Sequence, residues 1–264
     1  MKVYVCTDLE GVAGIVSTDE QCVATGKYYE QAKRWLTAEV NAAVEGMFEE
    51  GVTDALILDG HGPGAISYED LHPKAKLLHG RPTSPREWRN AVVNEYDVAM
   101  MIGQHAMAGT RDGVLNHTQN SRTVEYYKLN GTPIGEIAQF ALHCGAMGIP
   151  MIFLSGDEAA CREARELIPA VTAVSVKRGL SRFSAISLAP AEAHRVIREG
   201  VREAIRKHRD QPIEPVVWKG PFVLEKRFFH SEVGDAYAGN PQATRLDAKT
   251  VRLTGDEIAE LIYA

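Results

Sequence analysis

The sequence has little cysteine, and the few cysteines form no recognisable motif. Only four of the 264 residues are cysteine, and none is part of a C-x-x-C pair. This spacing suits neither a zinc knuckle nor a redox dithiol. Scattered thiols of this kind are typical of small core residues kept reduced in a reducing compartment.

Positive charge and long apolar runs are also scarce. The chain carries 29 Lys and Arg against 35 Asp and Glu, a formal net charge of -6, so it lacks the basic excess that nucleic acids and anionic lipids select. The amino terminus lacks the apolar core of a signal peptide, and the best apolar runs are only strand-length. We therefore expect a cytoplasmic protein with no nucleic-acid partner and no membrane segment.

The composition is that of a globular protein with a sizeable core. Hydrophobic residues make up 45% of the chain, and at this length roughly three quarters of the unfolded surface can be buried. Such a core needs neither disulfides nor a structural metal. Any metal site is therefore expected to be functional.

Strand-like and helix-like segments alternate through the first two thirds of the chain. Residues 2–7, 55–58, 97–102, 151–154 and 171–176 have strand character, and residues 28–50, 135–147, 157–167 and 189–207 have helical periodicity. This alternation is typical of β-α-β units. It predicts an α/β fold whose mostly parallel central sheet is flanked by helices.

The pattern changes near residue 190. Asn130-Gly131 predicts a β-hairpin earlier in the chain, and longer strand-like runs at 216–227 and 248–253 follow residue 212. We predict a metal-binding α/β catalytic domain at 1–190 and a smaller α+β subdomain at 191–264. No linker marks the boundary, so a single domain is the alternative.

Acidic and histidine side chains follow several predicted strands. Asp8 and Glu10 flank one residue at the end of the first strand, and His61 and His105 each follow a later strand beside a glycine. The carboxyl ends of parallel strands open onto one crevice. Glu136, at the start of a helix, adds a third carboxylate if that helix borders the crevice. The five side chains predict a metal site.

Each of these residues alone has an ordinary explanation. Glu136 suits the positive end of a helix dipole, and a single histidine in a loop is usually a surface residue. Jointly, three carboxylates and two neutral imidazoles overload one divalent ion but suit a pair of ions that share a water. Mixed oxygen and nitrogen ligands favour zinc, manganese, cobalt or iron. Zinc is the metal we expect.

Several motifs in this order resemble those of the D-aminopeptidases of metallopeptidase family M55. The matching segments are Asp8-Leu9-Glu10-Gly11-Val12-Ala13-Gly14, Asp59-Gly60-His61, Gly103-Gln104-His105-Ala106, Gly113-Val114-Leu115-Asn116-His117, Gly135-Glu136, Ser155-Gly156-Asp157 and Val176-Lys177. The resemblance covers nearly the whole chain. It implies a zinc-dependent aminopeptidase that removes a D-residue from the amino terminus of short peptides or aminoacyl amides, and a homodecamer.

The resemblance also implies a role for each candidate ligand. In such a site, which binds two Zn²⁺ per chain, Asp8 bridges the ions. Glu10 and His61 complete the coordination of one ion, and His105 and Glu136 complete that of the other. The ions would activate the water that attacks the peptide bond.

His117 is the catalytic residue that the resemblance implies. A histidine at this position suits general acid/base catalysis or stabilisation of an oxyanion. In the family, the corresponding residue is described instead as a nucleophile. Without the resemblance, a histidine in such a loop is more often a structural residue. The chain departs from the family pattern at the glycines around His61 and at Asn116, where serine is expected.

Other interpretations stay open. The same metal pair would serve an amidase or a phosphoesterase, and a peptide-binding protein linked to dipeptide uptake would use the same cleft without turnover. A dinucleotide site is disfavoured because no G-x-G-x-x-G follows the first strand. Asp59 either orients an imidazole or caps its loop, Asp157 is expected to be a helix N-cap, and the remaining histidines are expected to have no ligand role.

Overall fold

Two β-sheets organise the computed structural model, which describes residues 1–264. The twelve strands are β1 (Lys2–Thr7), β2 (Asp54–Asp59), β3 (Ala75–Leu78), β4 (Val98–Gln104), β5 (Val124–Leu129), β6 (Thr132–Ile134), β7 (Met151–Asp157), β8 (Thr172–Ser181), β9 (Ser184–Ser187), β10 (Phe222–Phe228), β11 (Ala243–Arg245) and β12 (Thr250–Gly255). The seven helices are α1 (Tyr29–Glu49), α2 (Arg86–Val93), α3 (Glu136–Ala146), α4 (Glu158–Leu167), α5 (Pro190–Asp210), α6 (Ser231–Asp235) and α7 (Ile258–Leu261).

The larger sheet has the strand order β3-β2-β1-β4-β7-β8-β9. All neighbouring strands are parallel except the β8–β9 pair. The chain leaves β1 toward β2 on one side and later returns to place β4 on the other. This reversal of strand order between β1 and β4 is the position where open α/β sheets bind ligands.

The helices cover the larger sheet because each presents an apolar stripe to it. In α1, Leu36, Val40, Ala43 and Met47 recur at helical spacing and are fully buried. The helix ends at Glu49, and the chain turns away at Gly51, whose φ of 78° is readily adopted only by glycine. Helix α1 packs against α5, while α4 packs on β7 and β8. The main core lies between these helices and the sheet.

The smaller sheet is antiparallel and has the order β11-β12-β10-β5-β6. Asn130 and Gly131 both have positive φ, as the predicted hairpin between β5 and β6 requires. This sheet joins a hairpin from the middle of the chain to strands from its end, and it has its own hydrophobic cluster with α7. The division into domains at residue 190 stays a prediction.

The predicted fold class, a mostly parallel sheet flanked by helices, is confirmed. Sequence analysis missed the short elements β3, α2, β9, α6 and β11. The expected strand at 216–227 begins only at Phe222, because the preceding segment packs closely on α3, where a Cβ at Gly145 would overlap the Val216 carbonyl. None of the helices combines the length and apolar character needed to cross a membrane.

Candidate metal centre

The ends of three neighbouring strands bring the predicted ligands together. Asp8 and Glu10 follow β1, His61 follows β2, and His105 follows β4. Glu136 is the first residue of α3, which begins at the same edge of the sheet. The first four residues are at most 7% exposed. The structure therefore places all five side chains in one cluster, in which only Glu136 is partly exposed.

Asp8 lies at the centre of the cluster and faces both imidazoles. Its Oδ1 is 3.1 Å from Nδ1 of His61, and its Oδ2 is 3.1 Å from Nε2 of His105. Glu10 lies on the first side, with Oε2 3.0 Å from His61 Nδ1. Glu136 lies on the second, with Oε1 3.5 Å from His105 Nε2. The Asp8 carboxylate thus lies between two groups of potential metal ligands.

Backbone carbonyls fix the orientation of both imidazoles. His61 donates from Nε2 to the Cys22 carbonyl at 2.7 Å, and His105 donates from Nδ1 to the Ala106 carbonyl at 2.9 Å. The other nitrogen of each ring therefore directs a lone pair at the carboxylates when the ring is neutral. Metal-ligating histidines typically use one nitrogen for the ion and donate from the other to such an acceptor.

His117 stacks on His105 beside the same cluster. The ring centroids are 4.0 Å apart with an interplanar angle of 16°, and His117 Nε2 is 3.8 Å from Glu136 Oε1. Its Nδ1 donates to the Leu115 carbonyl at 2.8 Å, which leaves Nε2 free to accept a proton. Leu115 holds an unusual φ of 53°, so the loop backbone is strained where it positions the ring.

The carboxylates and imidazoles perturb each other strongly. Burial alone lowers the pKa of both His61 and His105, but the charges of Glu10 and Glu136 and the bonds to Asp8 raise them well above the usual value. Burial would raise the pKa of Asp8, yet the two imidazoles hold it well below its usual range. The cluster is thus a concentration of negative charge that favours bound cations.

Donor chemistry and unsatisfied atoms fit a pair of divalent ions. Glu10 Oε2 and His105 Nε2 are buried and make no hydrogen bond of acceptable geometry, although buried polar atoms are normally satisfied. Ligand atoms of Asp8, Glu10 and His105 lie within 4.8 Å of one another, and so do those of His105, His117 and Glu136. Three carboxylates with neutral imidazoles would leave about one positive charge on two such ions, which suits a bound hydroxide.

Close backbone contact between two glycine-bearing loops holds the ligands in position. The Gly11 amide donates to the Gly103 carbonyl at 2.8 Å, and a Cβ at Gly11 would overlap the Gln104 carbonyl. A Cβ at Gly103, whose φ is 76°, would overlap the Asp8 carbonyl. The loops after β1 and β4 can approach this closely only because both positions are glycine.

Lys177 fixes the loop that follows Glu10. This lysine on β8 is 2% exposed, and its Nζ donates to the carbonyls of Glu10, Val12 and Ile15. Burial lowers the pKa of Lys177 to about 8. The motif containing Lys177 was recognised in the sequence, but no role was predicted for it, because nothing along the chain indicates contact with a loop more than 160 residues away.

Arg81 fixes the loop that carries His61. It donates to the carbonyls of Asp59, His61 and Gly62, and sequence analysis did not identify it. Asp59 accepts from the amides of Ala65 and Ile66, so it caps this loop and contacts no imidazole.

Asp157 is the N-cap of α4, as predicted. It accepts from the Ala160 amide at 2.7 Å, and its second oxygen accepts from the Val114 amide. It thereby also ties the loop that leads to His117 to the end of β7.

The cluster opens into a cavity of about 780 Å³. Asp8, Glu10, His61, Glu136 and His117 line one part of it, and His105 lies buried behind them. Pockets of this size hold small organic ligands. The arrangement therefore combines a candidate cation site, a histidine with a free nitrogen, and space for a small ligand.

Comparison with known proteins gives one consistent result. The family model described as D-aminopeptidase, Peptidase M55, matches residues 1–264. The D-aminopeptidase of Bacillus subtilis strain 168 is 33% identical over 218 residues, which cover 81% of this chain and 78% of that protein. The solved structure of the Zn-dependent D-aminopeptidase DppA from Bacillus subtilis, described as a self-compartmentalizing protease, superposes with a TM-score of 0.91. It is 27% identical and covers 100% of this chain and 94% of DppA. The chain therefore belongs to the M55 family of D-aminopeptidases.

Proposed function

We propose that this protein is a zinc-dependent aminopeptidase that removes an N-terminal D-residue from short peptides and binds two Zn²⁺ per chain. The observation that carries the proposal is the position of Asp8, whose two oxygens face His61 and His105 separately. Membership of the family supports the reaction, and the zinc dependence of the DppA relative supports the metal.

The ligand assignment follows the two groups of donors. Asp8, Glu10 and His61 would hold one ion, and Asp8, His105 and Glu136 would hold the other. When bound, a zinc pair supplies an activated water at neutral pH and polarises the scissile carbonyl. The protein fixes the ligands beforehand, because Cys22 and Ala106 orient the two imidazoles through their carbonyls.

His117 would act as the general acid and base. Its Nδ1 is occupied by the Leu115 carbonyl, so Nε2 accepts a proton during attack on the peptide bond and delivers it to the leaving amine. Its stacking on His105 keeps this nitrogen beside Glu136. A role in proton transfer, rather than as a covalent nucleophile, suits a ring whose free nitrogen lies beside the Glu136 carboxylate.

We further propose that the protein assembles with copies of itself, as a decamer by resemblance to the family. The β8–β9 hairpin ends the larger sheet and exposes Leu180, Phe183 and Ile186, each at least 55% exposed. A free edge strand with apolar side chains is a typical site of association with another chain. The self-compartmentalizing character of DppA favours a second copy as the partner.

Metal analysis and a substrate screen test the proposal. We expect close to two zinc equivalents per chain, and cleavage of D-alanyl amides in preference to matched L-alanyl amides. Cleavage of L-substrates alone would refute the stereochemistry, and activity on aryl phosphates without any on aminoacyl amides would indicate a phosphoesterase.

The variant His117→Ala separates metal binding from turnover. It should retain both zinc equivalents and lose at least about 100-fold in kcat, the usual contribution of a general acid or base. Full activity of this variant would exclude the proposed role of His117.

A further inference from the structure

The cavity beside the metal centre has a second polar end, formed by arginines. Four guanidinium groups line the cavity, and most of them have partners. Arg81 donates to carbonyls of the loop around His61, and Arg122 pairs with Asp19. Arg86 donates from Nη1 to the carbonyls of Ala259 and Glu260. Of the four, only the Arg89 guanidinium has no partner, and Arg86 keeps Nε and Nη2 without one.

The backbone amide of Arg89 donates to the Pro85 carbonyl, but its guanidinium group makes no hydrogen bond and no ion pair within the protein. It is half-buried on α2, one turn after Arg86, so the two guanidinium groups are neighbours on one helix face. A partly buried cation without a counterion favours an anion in the cavity.

A second unsatisfied group lies at the same end. His143 on α3 is 7% exposed, and its Nδ1 is buried without a hydrogen-bond partner. Its Nε2 lies 3.1 Å from Asn90 Oδ1, beside Arg89 in the sequence. Burial, together with the charges of Arg89 and Arg86, lowers the pKa of His143 to about 4. The imidazole is therefore neutral and can accept a hydrogen bond from a ligand N–H or a water.

The spacing of residues along two secondary-structure elements indicates the distance between the metal end and the arginine end of the cavity. Along α3, Glu136 and His143 are seven residues apart, a rise of about 10 Å. Along β1, Asp8 and Tyr4 are four residues apart on the same side of the strand, about 13 Å. Tyr4 packs on Phe140, which lies between Glu136 and His143 on α3, so both distances run from the metal end toward the arginine end.

Aromatic side chains line the cavity between the two ends. Tyr4 packs on Phe140 with ring centroids 5.7 Å apart, and both line the cavity. An extended peptide spans about 3.3–3.6 Å per residue. We place the scissile bond at the metal end and allow for the length of the arginine side chain. The distance between the two ends then fits a peptide of two or three residues.

We propose that Arg89, supported by Arg86, binds the free C-terminal α-carboxylate of the substrate and thereby selects dipeptides and tripeptides. This inference rests on the proposed aminopeptidase function. The carboxylate is the negatively charged partner that the Arg89 guanidinium does not find within the protein. The distance between the metal end and the arginine end thus limits the length of peptide that can bind with its scissile bond at one end and its carboxyl terminus at the other.

Steady-state kinetics with three peptides test the proposal. D-alanylglycine has the α-carboxylate, D-alanylglycinamide lacks it, and the α-amide of D-alanyl-D-glutamate carries its carboxylate only on a side chain. We expect kcat/KM of the zinc-loaded enzyme to be about 10- to 100-fold higher for the first peptide, the range for a charged hydrogen bond. The difference should lie in KM, because the contact is the same in ground and transition states.

Arg89→Gln should reduce this preference to about one by raising KM for D-alanylglycine only, and Arg89→Lys should restore part of it. Arg34→Gln, on the exposed face of α1, is the matched control and should retain the preference. Equal kcat/KM of the wild type for acid and amide would overturn the proposal. So would an equal loss for both peptides in Arg89→Gln, or a preference for the side-chain carboxylate.

Equilibrium binding separates this inference from the proposed function. If the wild type hydrolyses none of the peptides, the aminopeptidase proposal fails. The Kd values of D-alanylglycine and D-alanylglycinamide, measured by calorimetry, then decide on carboxylate recognition. A ratio of at least about 10 that disappears in Arg89→Gln supports it, and equal Kd values refute it.

Discussion

Lys177 offers the sharpest test of how the fold supports the metal centre. Replacing Lys177 by methionine keeps an unbranched apolar stem of similar length and removes the ammonium group. The carbonyls of Glu10, Val12 and Ile15 then lose their buried donor. Because Glu10 is one of the proposed zinc ligands, the substitution should affect both the stability of the fold and the affinity for zinc.

The magnitude follows from two opposing contributions. Leaving a buried acceptor without a partner costs about 1–3 kcal/mol, so three of them cost about 3–9 kcal/mol. Removing the buried ammonium also removes the net cost of its charge, burial less the attraction of Asp157 and Glu39, which the lowering of the Lys177 pKa to about 8 puts at about 3 kcal/mol. The expected net loss is about 3 kcal/mol, or roughly 6–12 °C in Tm for a chain of this size.

Thermal unfolding and zinc titration together measure the effect. Lys177→Met should unfold earlier and bind zinc about 10- to 100-fold more weakly, the usual range for residues that orient metal ligands. The matched control is Lys226→Met, since Lys226 is also a buried lysine but lies in the smaller sheet and donates to Tyr237 and Ala264. That variant should lose stability while retaining its zinc affinity.

Two results would refute this reasoning. A Tm of Lys177→Met equal to that of the wild type would show that the three carbonyls do not depend on the ammonium. A loss of stability with unchanged zinc affinity would show that Lys177 supports the fold without positioning Glu10.

Four further predictions concern the metal, the fold and the assembly. Asp8→Asn should reduce the zinc content from two equivalents to one or none, and two retained equivalents would exclude a bridging role. Arg81→Gln should weaken zinc binding by about 10-fold or more, because the loop that carries His61 loses the hydrogen bonds from the guanidinium group; unchanged affinity would contradict this. Burial raises the pKa of Glu39 from 4.5 to about 7, so the stability it contributes is present below about pH 4.5 and lost as the pH rises through 7. Glu39→Gln should therefore gain up to about 3 kcal/mol relative to the wild type between pH 4.5 and 7.5 in denaturant titrations, and a constant difference would refute the assignment. Phe183→Asp should reduce the assembled mass in light scattering, and an unchanged mass would exclude the β8–β9 hairpin as the interface.

The sequence predicted the parallel sheet well, because its strands are short apolar runs between clear breaks. The strand at residues 2–7 and the helix at 28–50 were placed within a residue or two. Helix α2 was missed because it lies on the surface with a single buried residue, Val93. A helix with so few core contacts lacks the apolar periodicity on which prediction depends.

The candidate ligands were predictable for a topological reason. Parallel strands place their carboxyl ends at one edge, so polar residues after β1, β2 and β4 must converge there. Carboxylates and imidazoles at these positions, those of Asp8, Glu10, His61 and His105, then predict a cation-binding site. The position of Glu136 depended on where α3 begins, which residue spacing alone did not establish.

The amino-acid sequence by itself determined the periodicities, the strand ends and the kinds of ligand atom, since these are local properties of neighbouring residues. Only the tertiary structure decided which oxygen of Asp8 faces which imidazole, and that Lys177 and Arg81 hold the loops of the metal centre. It also decided that Arg89 lines the cavity without a partner. These contacts join residues far apart in the chain, and their geometry arises from the packing of whole elements against one another.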